Sequence, residues 1–148
     1  MSGRVHLATA CAAATLFVLT LSARAPIVAA GQATPAANPN SWQIPPDAAN
    51  EKNPVEANPA VLKKGAQLYS SKCERCHGAK GKGDGPDIDA DAPPEDLTNP
   101  ARASRNPDGV MFYKIWNGRK EPKMPAFKAD MSKNDVWTVI HYIKEFRK

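Results

Sequence analysis

An all-α fold is predicted for this chain from three segments that combine helix start signals with helical apolar spacing, and from the lack of a convincing strand pattern. All three segments lie between residues 58 and 148, so roughly ninety residues carry the fold. The same ninety residues include a long connection between the first two segments, residues 81–105, that is rich in Gly, Pro and Asp. A small helical unit with such a connection has little apolar area to bury, which predicts that a bound group completes its core.

The first helix is predicted to begin with Asn58 as N-cap and Pro59 at the first helical position, and to run to about Lys72. Its Gly65 is unusual, because glycine in a helix interior costs about 1 kcal/mol relative to alanine. We therefore expect another helix to cross closely at Gly65. One face of this helix holds Val61, Gly65, Leu68 and Tyr69.

Two further helices are predicted in the second half of the domain. One follows Asn106-Pro107 and closes at Gly118, with Met111, Phe112, Ile115 and Trp116 on its inner side. The other follows a Ser132 cap with Asp135 three residues later. Its apolar residues repeat at helical spacing to the end of the chain: Val136, Val139, Ile140, Ile143 and Phe146.

Two segments are predicted to precede this single domain of residues 58–148. Residues 1–30 resemble a secretory signal, with Arg4, an uncharged run over 7–23 and the small-residue site 28–30. Cleavage is the expected outcome and an uncleaved membrane anchor is the alternative, although the run is shorter than the ~20 residues of a spanning helix. Residues 31–57 are rich in Pro, Ala and Asn and predict a tail or linker. Within it, Trp42 and Ile44 are candidates for docking on the domain or on a partner.

Charge and cysteine content restrict the possible functions. Loss of the signal segment leaves 18 basic and 15 acidic side chains, a formal charge of +3. No basic stripe interleaves with aromatic residues, so nucleic-acid binding is not expected. Cys11 lies in the signal segment, and the exported chain therefore keeps only Cys73 and Cys76 and no disulfide framework.

Residues 73–77, Cys-Glu-Arg-Cys-His, form the C-x-x-C-H pattern to which haem is attached through two thioethers. The adjacent His77 is then placed to bind the iron. A closed zinc site needs four ligands, and outside this motif the exported chain offers only His141 as a further soft ligand. A thioredoxin-like site needs a βαβ context, which is missing. The single motif predicts one covalent haem c and a largely unfolded haem-free chain.

Met124 is the candidate for the sixth position on the iron. Pro122 and Pro125 flank it, keep the backbone irregular and let its flexible thioether point inward. Met111 and Met131 are predicted to fill the core instead, and His141 to have a surface or packing role. Iron bound by His77 and Met124 would stay low-spin and cycle between ferric and ferrous states at a raised potential, whereas an open sixth position would favour binding or activation of small molecules.

Beyond the haem motif, residues 58–148 resemble the class I c-type cytochromes, in particular small bacterial periplasmic members with one haem. The resemblance implies a cytochrome c fold in which three main helices and long loops wrap one covalently bound haem. It implies His77 and Met124 as axial ligands, and Pro86 as the residue whose carbonyl accepts the ring N–H of His77. The matching residues are Gly65, Tyr69 and Cys73 at the family spacing, Tyr142 in the terminal helix, and the stretches 76–86, 96–98, 117–119 and 124–127.

Three functions are compatible with this site. The first is a free periplasmic electron carrier, not an enzyme, that works as a monomer without stable membrane insertion. The second is an electron-transfer subunit of a periplasmic oxidoreductase complex, for which the tail is the one distinguishing feature. The third is a haem peroxidase or gas-binding protein. The partners are redox donors and acceptors. The basic residues within 63–82, and those within 114–128 near Met124, are either an ordinary solvated surface or a rim around the haem edge that steers an acidic partner.

Overall fold

The computed structural model describes residues 40–148; the predicted signal segment, residues 1–30, and the start of the predicted tail lie outside the described residues. Five α-helices occur in the described part: α1 (Pro59–Lys72), α2 (Glu74–His77), α3 (Pro100–Ala103), α4 (Asp108–Asn117) and α5 (Lys133–Glu145). The same residues form no strand, only an isolated antiparallel bridge between Arg119 and Met124. The all-α prediction is confirmed. None of the helices in 40–148 has the length and apolar character needed to cross a bilayer.

The helices α1 and α5 begin where their caps predict them, and α4 begins directly after the Asn106-Pro107 start signal without a side-chain cap. The Asn58 side chain accepts a hydrogen bond from the Val61 backbone N–H and begins α1. At the start of α5, Ser132 and Asp135 form a capping box in which each side chain accepts from the backbone N–H of the other residue. The short helices α2 and α3 were not predicted, because one turn is too short to show an apolar period.

The close crossing expected at Gly65 is present between α1 and α5. Gly65 is buried, and a Cβ atom added to it would lie 2.8 Å from Tyr142 Cβ and 2.9 Å from the Thr138 carbonyl oxygen. Beside this point the Tyr69 ring packs on Tyr142 and Phe146, with centroid distances of 5.5 and 5.0 Å. The two helices thus meet backbone to backbone at Gly65 and through aromatic rings one turn further along.

Replacing Gly65 by Val is expected to destabilise the protein by about 1–3 kcal/mol, because the added side chain cannot fit the crossing without moving α5. The free energy of unfolding of the haem-bearing protein, measured by chemical denaturation, tests this. Ser70→Val is the matched control: Ser70 is an exposed residue of the same helix, so only the few tenths of a kcal/mol of helix propensity are lost. Equal losses in the two variants would contradict the close crossing.

Residues 42–57 pack against the helical unit, while the division of the chain into a tail or linker and a domain stays a prediction. Ala48, in a single 3-10 turn, is fully buried. Asn53 donates its side-chain N–H to the Trp137 carbonyl over 2.8 Å, and His141 Nε2 lies 2.7 Å from the Val55 carbonyl oxygen. The contacts come from isolated side chains without an apolar period, and composition therefore missed them. We call residues 42–57 the N-terminal strap.

Candidate cofactor site

A single cavity brings together four of the five predicted site residues. Cys73, Cys76, His77 and Met124 all line it, and it encloses about 1160 Å³, including the part that is open to solvent. Its apolar walls come from all three long helices and from the loops between them: Tyr69, Leu97, Met111, Ile115, Phe127 and Ile143. These residues also belong to the core or pack directly against it, so the cavity lies where the interior of the domain would otherwise be closed.

The cysteines and His77 are positioned by the single turn of α2. The backbone N–H groups of Cys76 and His77 both donate to the Cys73 carbonyl, over 3.2 and 2.9 Å. This turn follows α1 directly, and the buried Tyr69 hydroxyl donates to the Gly78 carbonyl just beyond it, over 2.7 Å. The motif is therefore held at both ends by α1.

The loop after α2 folds back over the motif. Gly85 donates its N–H to the Cys76 carbonyl over 3.2 Å, and Asp87 donates its N–H to the Arg75 carbonyl over 2.8 Å. A Cβ atom on Gly85 would lie only 2.3 Å from the Arg75 oxygen, so a glycine is needed at this contact. The side chains of Arg75 and Asp87 also form an exposed ion pair of 2.6 Å, which adds little stability by itself.

The His77 imidazole is the buried polar group of this site. Burial lowers its pKa, an effect that the backbone of Glu95 opposes, so the ring is held in its neutral form. Its Nδ1 atom is buried and has no hydrogen-bond partner among the described residues. A neutral, buried imidazole with an unpartnered nitrogen at a cavity fits the requirements of a metal-binding histidine.

Pro86 is the predicted site residue that the structure does not bring to the cavity. It is exposed and absent from the cavity walls, whereas Pro94 and Glu95 line them. The reason is the path of the loop, in which Gly85 and Asp87 are bonded along the backbone of α2 and direct Pro86 outward. The carbonyl role assigned to Pro86 by resemblance therefore stays a prediction, and the backbone of Glu95 opposes the effect of burial on the pKa of His77.

Met124 reaches the cavity from a loop that is bonded to α4. It exchanges two backbone hydrogen bonds of 2.8 Å with Arg119, and the Phe127 N–H donates to the Ile115 carbonyl over 3.1 Å. Met124 is half-buried and packs against the core. By contrast, Met131 is buried away from the cavity, as predicted for a core methionine, while Met111 is both a core and a wall residue.

The edge of the cavity is cationic, and its basic residues include Lys114, Arg119 and Lys123, which the sequence places near Met124. Burial lowers the pKa of Lys114, and Arg119, Arg102 and Arg105 lower it further, against the opposing effect of Glu95. Arg147, whose pKa is also lowered by burial, donates from Nε to the Leu97 carbonyl over 3.2 Å. The basic side chains of the walls are Lys72, Arg102, Lys114, Arg119, Lys123 and Arg147. Spacing along the chain does not predict that these residues meet.

The donor set fits a covalently bound haem better than the alternatives. Two thiols, an imidazole and a thioether face one apolar cavity whose cationic edge suits the two carboxylates of a haem. Burial, and secondarily Cys76, raises the pKa of Cys73 to about 12, so its sulfur is not the activated thiolate that a thiol-redox site needs. Within residues 40–148, no three His, Cys, Asp or Glu side chains converge on a possible metal site.

Comparison with known proteins agrees with this site. A family model described as cytochrome C oxidase, cbb3-type, subunit III matches residues 60–143, more than half of the chain. The match begins within α1, ends within α5 and includes every residue of the C-x-x-C-H motif as well as Met124. No curated protein matches the chain significantly. The N-terminal strap precedes the matched region.

Proposed function

The chain belongs to the family described as cytochrome C oxidase, cbb3-type, subunit III, and on this premise we propose that it carries one haem, held by Cys73 and Cys76 and ligated by His77 and Met124. A c-type cytochrome domain of this family implies covalently bound haem c and haem-based electron transfer. The observation that carries the assignment of residues is that these four side chains, from α2 and from a loop 47 residues further on, line the same cavity.

When bound, the haem supplies a reversible one-electron ferric/ferrous couple. The protein residues determine how readily the haem accepts and releases an electron. His77, whose pKa is lowered by burial, would offer a neutral imidazole to the iron, and Met124 would offer its thioether from a loop bonded to Arg119 and Ile115. The apolar walls exclude water, and the Met/His pair raises the potential. Together these features favour transfer of electrons over binding of small molecules.

We also propose that the protein is exported to the periplasm and is not itself an enzyme. The signal-like features of residues 1–30 support export. A role as a bound subunit is the second candidate, because the family description names a subunit of an oxidase. The N-terminal strap no longer favours that candidate, since its side chains bond to the domain itself.

Absorption spectra of the purified, exported protein test this function. We expect low-spin c-type bands in the oxidised and reduced states, a weak long-wavelength band of Met sulfur bound to ferric iron, and one haem per chain that survives denaturing electrophoresis. A high-spin spectrum that shifts with carbon monoxide would contradict electron transfer and indicate catalysis or sensing. If the protein is isolated from periplasm together with the same companion proteins, both with and without residues 31–57, the result would support the subunit role.

A further inference from the structure

Trp42, in the N-terminal strap, is a wall residue of the cavity although it lies outside the region shared with the family. The Arg119 guanidinium carbon lies 4.3 Å from the centroid of its ring, and Lys114 Nζ lies 5.0 Å from it. Both distances are within the range of cation–π attraction. One aromatic ring thus contacts two cations, and all three groups line the same cavity.

The strap holds this ring in place through contacts on both sides of α4. Asn117, the last residue of α4, donates its side-chain N–H to the Gln43 carbonyl over 2.8 Å, directly beside Trp42. Further along the strap, the Tyr113 hydroxyl donates to the Glu51 carboxylate over 2.8 Å, and Asn53 bonds to Trp137. The position of the Trp42 ring is therefore fixed by hydrogen bonds of the strap to α4 and α5, in addition to the contacts of the ring itself.

In the described part of the chain, neither Lys114 nor Arg119 forms an ion pair with a carboxylate, and Glu95, the acidic wall residue that acts on Lys114, pairs with Arg102 instead. Among residues 40–148, no Asp or Glu lies within ion-pair distance of either side chain. Lys114 Nζ donates to the neutral amide oxygen of Asn106 over 2.6 Å, and Arg119 Nε donates to the Pro122 carbonyl over 3.0 Å. A half-buried ammonium and a guanidinium that share one ring, with no carboxylate of residues 40–148 at ion-pair distance, are arranged to bind an anion.

We propose that Trp42 is a positioning residue that holds Lys114 and Arg119 at the cavity edge, where they bind the carboxylates of the haem. This inference rests on the proposed function. Cations beside the carboxylates favour the ferrous state, which carries one positive charge less than the ferric state. The strap therefore raises the reduction potential of the haem through a residue that does not touch the iron.

A double-mutant cycle on the haem-bearing full chain tests the proposal, with the reduction potential at low ionic strength as the readout. Trp42→Leu and Lys114→Met are each expected to change the ferrous/ferric ratio at a fixed potential by about tenfold toward ferric, which is 59 mV for one electron. The double variant is expected to shift less than the sum, because Trp42 acts partly through Lys114. Trp42→Phe keeps a ring for the cations and is expected to retain most of the parent's potential.

Lys52→Met is the matched control for charge. It removes one positive charge from an exposed position of the same strap that does not line the cavity, so the potential should stay near that of the parent. If the Trp42→Leu protein is not obtained in folded form, Asn117→Ala is the second variant. It removes the hydrogen bond to the Gln43 carbonyl, leaves the Trp42 ring intact and should also lower the reduction potential. The proposal would be overturned if the shifts in potential of Trp42→Leu and Lys114→Met were additive. It would also be overturned if Lys114→Met and Lys52→Met changed the potential equally. A parent protein without low-spin His/Met bands would overturn the proposed function instead, before any variant is compared.

Discussion

Replacing both Cys73 and Cys76 with Ser is expected to abolish covalent haem attachment and to leave the chain largely unfolded. The cavity of about 1160 Å³ is lined by residues that are also core residues, among them Tyr69, Ile115 and Ile143. Without a covalently held group, these side chains would face water or a void, and the apolar burial that stabilises the folded domain would be lost. A domain of this size has no comparable reserve of stability.

Far-UV circular dichroism, thermal unfolding and haem staining after denaturing electrophoresis measure the effect of the double cysteine variant. Loss of most helical signal and of the stained band is expected. Cys11→Ser is the control, because Cys11 lies in the predicted signal segment and that variant should attach haem and fold as the parent does. A double variant that remains fully helical and melts cooperatively would show that the polypeptide packs its core without haem.

Replacing Met124 with Ala is expected to open the sixth position on the iron. The ferric protein should become high-spin or water-ligated and lose its weak long-wavelength band, and the ferrous protein should bind carbon monoxide readily. The reduction potential should fall by on the order of 0.1 V, since axial ligation sets haem potentials over about 0.8 V. The physical reason is loss of the thioether, which stabilises ferrous iron more than water does.

Met131→Ala separates ligation from packing. Met131 is buried in the core but does not line the cavity, so this variant should lose about 2–5 kcal/mol of stability and keep its low-spin spectrum. Absorption spectra and carbon monoxide titration of both variants decide the assignment. If Met124→Ala binds carbon monoxide no better than the parent, Met124 is not the sixth ligand.

The starts of α1 and α5 and the identity of the cysteine motif are determined by the sequence alone. Caps such as Asn58 and the Ser132/Asp135 pair act within three or four residues, so their effect is local and their helices begin where these residues predict. The C-x-x-C-H motif is also local, because a single helical turn suffices to bring its three functional side chains to one cavity. Gly65 indicated the helix crossing, since a costly glycine needs a packing reason.

Only the tertiary structure decided which distant residues complete the site. Trp42, Glu95, Lys114 and Arg147 come from the strap, a loop, a helix and the C-terminal end, and nothing in their local spacing shows that they meet at one cavity. The path of the loop after α2 likewise placed Pro86 on the exposed surface and Glu95 in the cavity wall. The contacts of the strap also depend on tertiary structure. Asn53 bonds to a residue 84 positions away, and such a contact depends on how the elements pack, not on the sequence around either partner.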